Sequence, residues 1–407
     1  MQRSSVSNPR ASGTKVITRL SDANHKMRFP ARPRNFRAHR ARLRPEPCQS
    51  PCKMTESASP LKPPLKPSLN LATPRRGFSP QFLSLLWRVL TALAIFHLAF
   101  QLWWWLPLMW NRAETSTDSH IYYQAAVRLK DGLPLYQPWP EYTPQLLPSR
   151  FFYPPPFLLL TRPLASLDFL WFSRVWTLLL MLAFWVYAAC LSKMATGKVG
   201  WKAVLIAGMC INLCPKGYIT MAFGNFETVM WACYGLAFST RFRTAPLAFA
   251  MMMKLHPVWT LLLVLQNGGK RSFFVASSVL IAGIGGGLWI CGLQNSLNWW
   301  PSTSNVVSQG TFWDGNVSVS FALLRVISAL GWNYDGGILP LWAKAYLGIV
   351  ALAAPLLTIY FSRRKPLELR LALTACATIL FAPLCWTMYL PLLLSPAAIW
   401  IGARHSD

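Results

Sequence analysis

Continuous apolar runs of roughly twenty residues recur through this chain from about residue 82 to residue 402, and they constrain its fold more than any motif does. At about 1.5 Å of rise per residue, such a run matches the hydrocarbon thickness of a bilayer. Backbone groups facing lipid must be satisfied within their own segment, so the runs are helices. Their apolar character is continuous rather than alternating, which argues against a β-barrel. With 53% hydrophobic residues, 20 Trp and only 13% charged residues, the chain is expected to be an all-α, polytopic transmembrane protein.

The formal net charge of +27 invites a nucleic-acid partner, and its distribution argues against one. Of the 40 basic residues, 17 fall within residues 1–80, beside three acids, Asp22, Glu46 and Glu56. This Pro-, Ser- and Arg-rich stretch has no apolar periodicity and cannot bury enough surface to offset its ordering entropy. It is expected to be a disordered basic cytoplasmic tail, with an RNA-binding arm or an anionic-lipid contact as the alternative. Met54 opens Met-Thr-Glu-Ser-Ala-Ser-Pro, which reads as a second start and puts residues 1–53 in question. Residues 81–403 then form the membrane domain. Cys48 and Cys52 have no second pair to complete a zinc site, and the other cysteines read as small buried apolar residues. Nothing calls for a metal or a cofactor.

Spans are expected near 82–110, 171–191, 203–215, 219–239, 272–293, 338–360, 368–382 and 387–402. The first ends in the aromatic belt Trp103-Trp104-Trp105 and Trp110, suited to an interface. Arg241/Arg243 and Lys270/Arg271 flank one apolar stretch, 245–268, and both prefer the cytoplasm. A hairpin broken at Lys254-Leu255-His256-Pro257 reconciles them. The whole pattern closes with about ten crossings, a cytoplasmic N-terminus and long extracytoplasmic loops at 111–170 and 294–337. An amphipathic segment is expected at 118–131. Phe151–Leu170, with its Tyr153-Pro154-Pro155-Pro156, is expected to lie along the interface.

Acids are scarce, 13 in all. Leaving out the tail, the C-terminal Asp407, the cytoplasmic Glu368 and the intramembrane Glu227, the outer face retains Glu114, Asp118, Asp131, Glu141, Asp168, Asp314 and Asp335. Asp118 lies nearest a helix start, with Tyr122 and Tyr123 about one turn on. It reads either as a reactive carboxylate or as a first-turn acid favoured by the helix dipole. Glu227, inside a span, is a functional candidate by its cost or else a neutral packing residue. Lys254 and His256 either rise to the interface along their apolar stems or meet a phosphate. Arg150, Tyr153, Asn225, Asn316 and Arg325 fall near the same face.

Taken in order, these features resemble glycosyltransferase family 87, over about residues 85–402. Asp118 with Tyr122-Tyr123 and Ala125-Ala126, then Gly132 to Tyr136, is similar to that family's first outer loop, and Phe152-Tyr153-Pro154-Pro155 to its Tyr-Pro-Pro segment. Gly224-Asn225-Phe226-Glu227 resembles Gly-Gln-x-Asn, with Asn for Gln and Glu for Asn. Lys254-Leu255-His256-Pro257 resembles Lys-x-x-Pro. Gly315-Asn316-Val317-Ser318 through Arg325 resembles Gly-Asn-x-Ser with a downstream arginine. Pro383-Leu384-Cys385-Trp386-Thr387-Met388-Tyr389 resembles Pro-x-x-Trp-x-x-Tyr, with Thr387-Met388 where members often carry Asp-His.

The resemblance implies a GT-C-like integral membrane enzyme of the plasma membrane with an extracytoplasmic active site. It would move a hexose or pentose, mannose among them, from a polyprenyl-phosphate-linked donor to a glycan or glycolipid acceptor, with inversion. It implies Asp118 as general base. Arg150, Lys254 or Arg325 would face the phosphate, and Tyr122, Tyr123, Tyr153, Asn225, Glu227, Asn316, Trp386 and Tyr389 the substrates. Two other readings stay open: a transporter or lipid-linked sugar flippase, which intramembrane Lys254 and Glu227 also suit, and a non-catalytic assembly subunit.

Overall fold

The computed structural model describes residues 79–111, 118–136, 151–214, 217–310, 316–330 and 339–405. The basic tail, Arg150 and the acids Glu114, Glu141, Asp314 and Asp335 lie outside the described residues.

Among the described residues the chain is helical, and its β pairing amounts to one antiparallel bridge between Asn316 and Trp386. Helix α1 runs Pro80–Trp110 and α2 Asp118–Lys130. Three short turns follow, Pro155–Phe157, Leu158–Thr161 and Arg162–Leu164. Then come α3 (Phe169–Thr196), α4 (Trp201–Leu213), α5 (Gly217–Ala222), α6 (Glu227–Ser239) and α7 (Thr244–Met253). Helix α8 (Val258–Gly310) kinks at Gly269 and Gly292. The last helices are α9 (Val319–Ala329), α10 (Leu341–Phe361), α11 (Leu367–Leu380) and α12 (Leu394–His405), the last preceded by a 3₁₀ stretch, Thr387–Leu393.

Among the described residues, four helices are long and apolar enough to cross a membrane: Pro80–Trp110, Phe169–Thr196, Val258–Ser304 and Leu341–Phe361. Five of the other expected segments are shorter helices and the second arm of the hairpin runs on into α8, so the four do not add up to the expected ten crossings. At 13 residues, α4 is about 20 Å long, against roughly 30 Å of hydrocarbon. The expected span at 219–239 is two helices, because the chain turns at Gly224-Asn225 between α5 and α6. Residues 294–337, expected as a loop, are helical to Gly310 and again in α9. Phe321 and Leu324 of α9 are buried in one cluster with Ala343 and Leu347 of α10. The break at Lys254–Pro257 is present, with α7 before it and α8 after, and these two helices pack together.

Burial separates the long helices. Over its most apolar window α3 is 56% buried, whereas α1 and α10 are 11% buried and keep apolar side chains outward. Helix α3 is therefore the axis, packing on α6, α12, α4 and α2. Aromatic groups fill the core beside it: Tyr122, Phe157, Phe172, Trp176 and Phe226 are each at most 1% exposed. Phe151–Leu170 forms no membrane-length helix. Its short turns sink into this core, where Phe157 and Leu158 are fully buried, and they pack on α8. Gly287 makes that approach possible: a Cβ there would stand 2.7 Å from the Pro156 nitrogen.

Candidate active site

Helix α2 begins at Asp118. Ser119, Tyr122, Ala125 and Ala126 recur at helical spacing and form its buried face. Arg128 and Lys130 occupy the last turn, where they complement the dipole. The Ser119 N–H, with no partner inside its own first turn, donates to the Phe223 carbonyl at 3.3 Å. This bond ties the start of α2 to the turn that follows α5.

That turn is a Schellman motif. Asn225 N–H donates to the Thr220 carbonyl at 2.9 Å and Gly224 N–H to the Met221 carbonyl at 3.0 Å. Gly224 takes φ +70°, a conformation that costs other L residues about 1–2 kcal/mol. Its carbonyl accepts from Trp176 Nε1 at 2.8 Å. Asn225 then uses both ends of its amide. Oδ1 accepts from the Glu227 N–H at 2.8 Å, a bond two residues along the chain at the start of α6; Nδ2 donates to Asp118 Oδ2 at 2.7 Å. Asp118 is thus a first-turn acid and also the partner of a buried side chain 107 residues away.

Glu227, 2% exposed, pairs with Lys254. The lysine comes from the break between α7 and α8, where its backbone leaves the helix at φ −153°, ψ 137°. Its ammonium also donates to the Tyr389 hydroxyl at 3.3 Å and lies 4.9 Å above the Tyr153 ring. The Tyr153 hydroxyl meets that of Tyr122 at 2.8 Å, and Tyr122 in turn accepts from the Phe226 N–H at 3.4 Å. Burial first, and then the charge of Asp118, pushes the Tyr122 hydroxyl well above the usual phenol range. Burial raises Tyr153 likewise, against the opposing pull of Lys254. Both phenols stay protonated near neutrality, so they serve as hydrogen-bonding groups and not as bases. Of the five acids among the described residues, Asp168 caps α3, Glu368 pairs with Arg243 and Asp131 is exposed. Asp118 and Glu227 alone share one cluster.

The structure therefore brings together Asp118, Tyr122, Tyr153, Asn225, Glu227, Lys254 and Tyr389. Asn316 and Trp386 form a separate fastening. The Asn316 side chain, 1% exposed, accepts from Cys385 N–H at 2.9 Å and Ser318 N–H at 3.1 Å and donates to the Pro383 carbonyl at 3.1 Å. It holds the loop leading into Tyr389. Tyr123 turns to the other side of α2, where its hydroxyl donates to the Leu167 carbonyl at 3.1 Å. Arg325 is exposed on α9, 5.5 Å from the Phe321 ring centroid. Arg150 lies outside the described residues. Tyr234, whose hydroxyl meets His256 Nδ1 at 2.9 Å, was missed by sequence reasoning; nothing distinguishes it there from other core aromatics. Among the described residues, no group of three or more His, Cys, Asp or Glu could hold a metal.

A family model described as glycosyltransferase family 87 matches residues 151–396, more than half of the chain. No curated protein matches it, and no solved structure does. Asp118 and Tyr122 precede the matched stretch and are joined to it by their bonds to Asn225, Tyr153 and Phe226.

Proposed function

The chain belongs to glycosyltransferase family 87, and on that premise we propose that it takes a hexose or pentose from a polyprenyl-phosphate donor at the outer face of the plasma membrane. The acceptor is a glycan or glycolipid hydroxyl. Asp118 takes the hydroxyl proton as that oxygen attacks the anomeric carbon. The bond from that carbon to the phosphate oxygen breaks, and its electron pair leaves on the lipid phosphate. A single displacement inverts the anomeric centre.

One observation carries this reading: Asp118, oriented by Asn225, stands beside two protonated tyrosines in a cluster that also holds a cation, Lys254. A carboxylate within reach of a hydroxyl contributes about 10²–10⁴-fold as general base. Lys254 supports the phosphate. Its charge is shared with Glu227, so the incoming anion competes with that carboxylate for it. Tyr153 and Tyr389, whose rings lie 4.9 and 5.1 Å from the ammonium, offer aromatic faces to a sugar. The transporter reading rested on Lys254 and Glu227 as intramembrane charges, and the two pair with each other.

The test is direct. Purified protein in liposomes, given polyprenyl-phosphate carrying a radiolabelled sugar and a membrane glycolipid extract, should yield label on the extract with inverted configuration. Label that crosses the bilayer still attached to its polyprenyl carrier, with none transferred, would instead favour a flippase.

A further inference from the structure

Two polar groups beside the cluster take no part in the transfer chemistry: Tyr234 of α6, and His256 in the break between α7 and α8. The Tyr234 hydroxyl meets His256 Nδ1 at 2.9 Å, and the two rings stack at 15° with centroids 5.9 Å apart. His256 Nε2 is buried with no hydrogen-bond partner among the described residues. Donation by Tyr234 to Nδ1 leaves only the Nε2 proton unpaired, whereas the reverse leaves both the phenol proton and Nε2 unpaired. The tyrosine is therefore the donor.

The break has few backbone bonds of its own. The Lys254 N–H donates to the Ala250 carbonyl at 2.9 Å and the Val258 N–H to the Leu255 carbonyl at 3.1 Å. Between them Pro257 has no N–H, and those of Leu255 and His256 have no backbone partner among the described residues. Side chains must hold its course. Helix α6 supplies both partners, because Glu227 and Tyr234 stand two turns apart on one face, about 10 Å from each other. Glu227 pairs with Lys254, and Tyr234 with His256. A third contact closes the set: the His256 ring meets the Tyr389 ring edge-on at 5.5 Å, and the Tyr389 hydroxyl accepts from the Lys254 ammonium at 3.3 Å.

We propose that His256 is a positioning residue for the phosphate site. Its Nδ1 bond to Tyr234 fixes the break so that the Lys254 ammonium and the Tyr389 hydroxyl face an incoming phosphate together. The phosphate role of Lys254 rests on the transfer reading above; the hold of Tyr234 on the break does not. An asparagine carries Oδ1 where the imidazole carries Nδ1 and accepts from Tyr234, whereas a glutamine puts its polar end where Nε2 lies. The two substitutions separate the roles of the two nitrogens.

The experiment uses the purified protein in nanodiscs. Binding of undecaprenyl phosphate should weaken at least tenfold in His256→Leu, His256→Gln and Tyr234→Phe, and stay within threefold of the parent in His256→Asn. A thermal-melt cycle of Glu227→Gln and Lys254→Met reads the same hold without a ligand. Their coupling should be lost in a His256→Leu background and kept in a His256→Asn background. Lower melting alone, with binding and the cycle unchanged in every variant, would make His256 a packing residue and overturn the proposal. Rescue by glutamine and not by asparagine would make Nε2 the working atom and overturns it too. A parent that does not bind undecaprenyl phosphate would overturn the phosphate role of Lys254, and the melt cycle still decides whether His256 holds that lysine in place.

Discussion

Asn225 is the residue on which the cluster turns, because an amide can accept from Glu227 N–H and donate to Asp118 at the same time. An aspartate there keeps the acceptor for the Glu227 N–H, loses the donor and sets a second carboxylate against the first. Asn225→Asp is therefore expected to cost about 1–3 kcal/mol of stability and to lower transfer at least tenfold under conditions where the variant is still folded, as measured by melting in detergent and by initial rates. Glu227 and Lys254 behave differently. Removing one partner of a buried pair leaves an uncompensated charge, so Glu227→Gln should cost about 3–5 kcal/mol. The double variant Glu227→Gln/Lys254→Met should recover most of that loss, and additive losses in the thermal-melt cycle would show that the pair is not coupled. Sequence pattern showed both residues to be unusual for a membrane span and left open whether they pack or react. Their partnership spans the whole of α6 and α7, and no periodicity reports a contact of that kind.

At the scale of elements, the site depends on how closely short turns approach long helices. Gly287 of α8 faces the backbone of Pro155 and Pro156, so a methyl group there must displace the turn that carries Tyr153. Gly287→Ala is expected to cost about 1–3 kcal/mol by overpacking and to lower transfer. Gly285, with open space around its Cβ position, should tolerate the same change. Equal effects at the two positions, in melting and in rate, would contradict this account of the turn. Helix α2 was legible as an amphipathic segment at 118–131 and is observed at Asp118–Lys130. Residues 219–239 were not legible as two helices. Asn225 and Glu227 stand in that apolar run, but polar residues inside a span do not by themselves report a chain turn. Nothing in the sequence shows that Gly224 takes a left-handed conformation.

At the scale of the molecule, the sequence supported an all-helical membrane protein of glycosyltransferase family 87, and the family match and the long apolar helices agree. The crossing count was less legible, because α4, α6 and α11 are apolar enough to resemble spans yet only 13 to 14 residues long. Apolar composition marks burial in protein as readily as burial in lipid. The proposed orientation puts the end of α2 outside and the Arg363-Arg364-Lys365 cluster inside. Single cysteines at Lys130 and Arg364, in a background without other reactive thiols, should therefore react with an impermeant maleimide from opposite sides of intact cells. The central claim is that the Asp118 carboxylate takes the acceptor's proton. Its most direct test is the transfer rate of Asp118→Asn, folded and inserted as the parent is, with a radiolabelled polyprenyl-phosphate sugar. A fall of about 10²–10⁴-fold with unchanged melting is predicted, and turnover within a few-fold of the parent would contradict it.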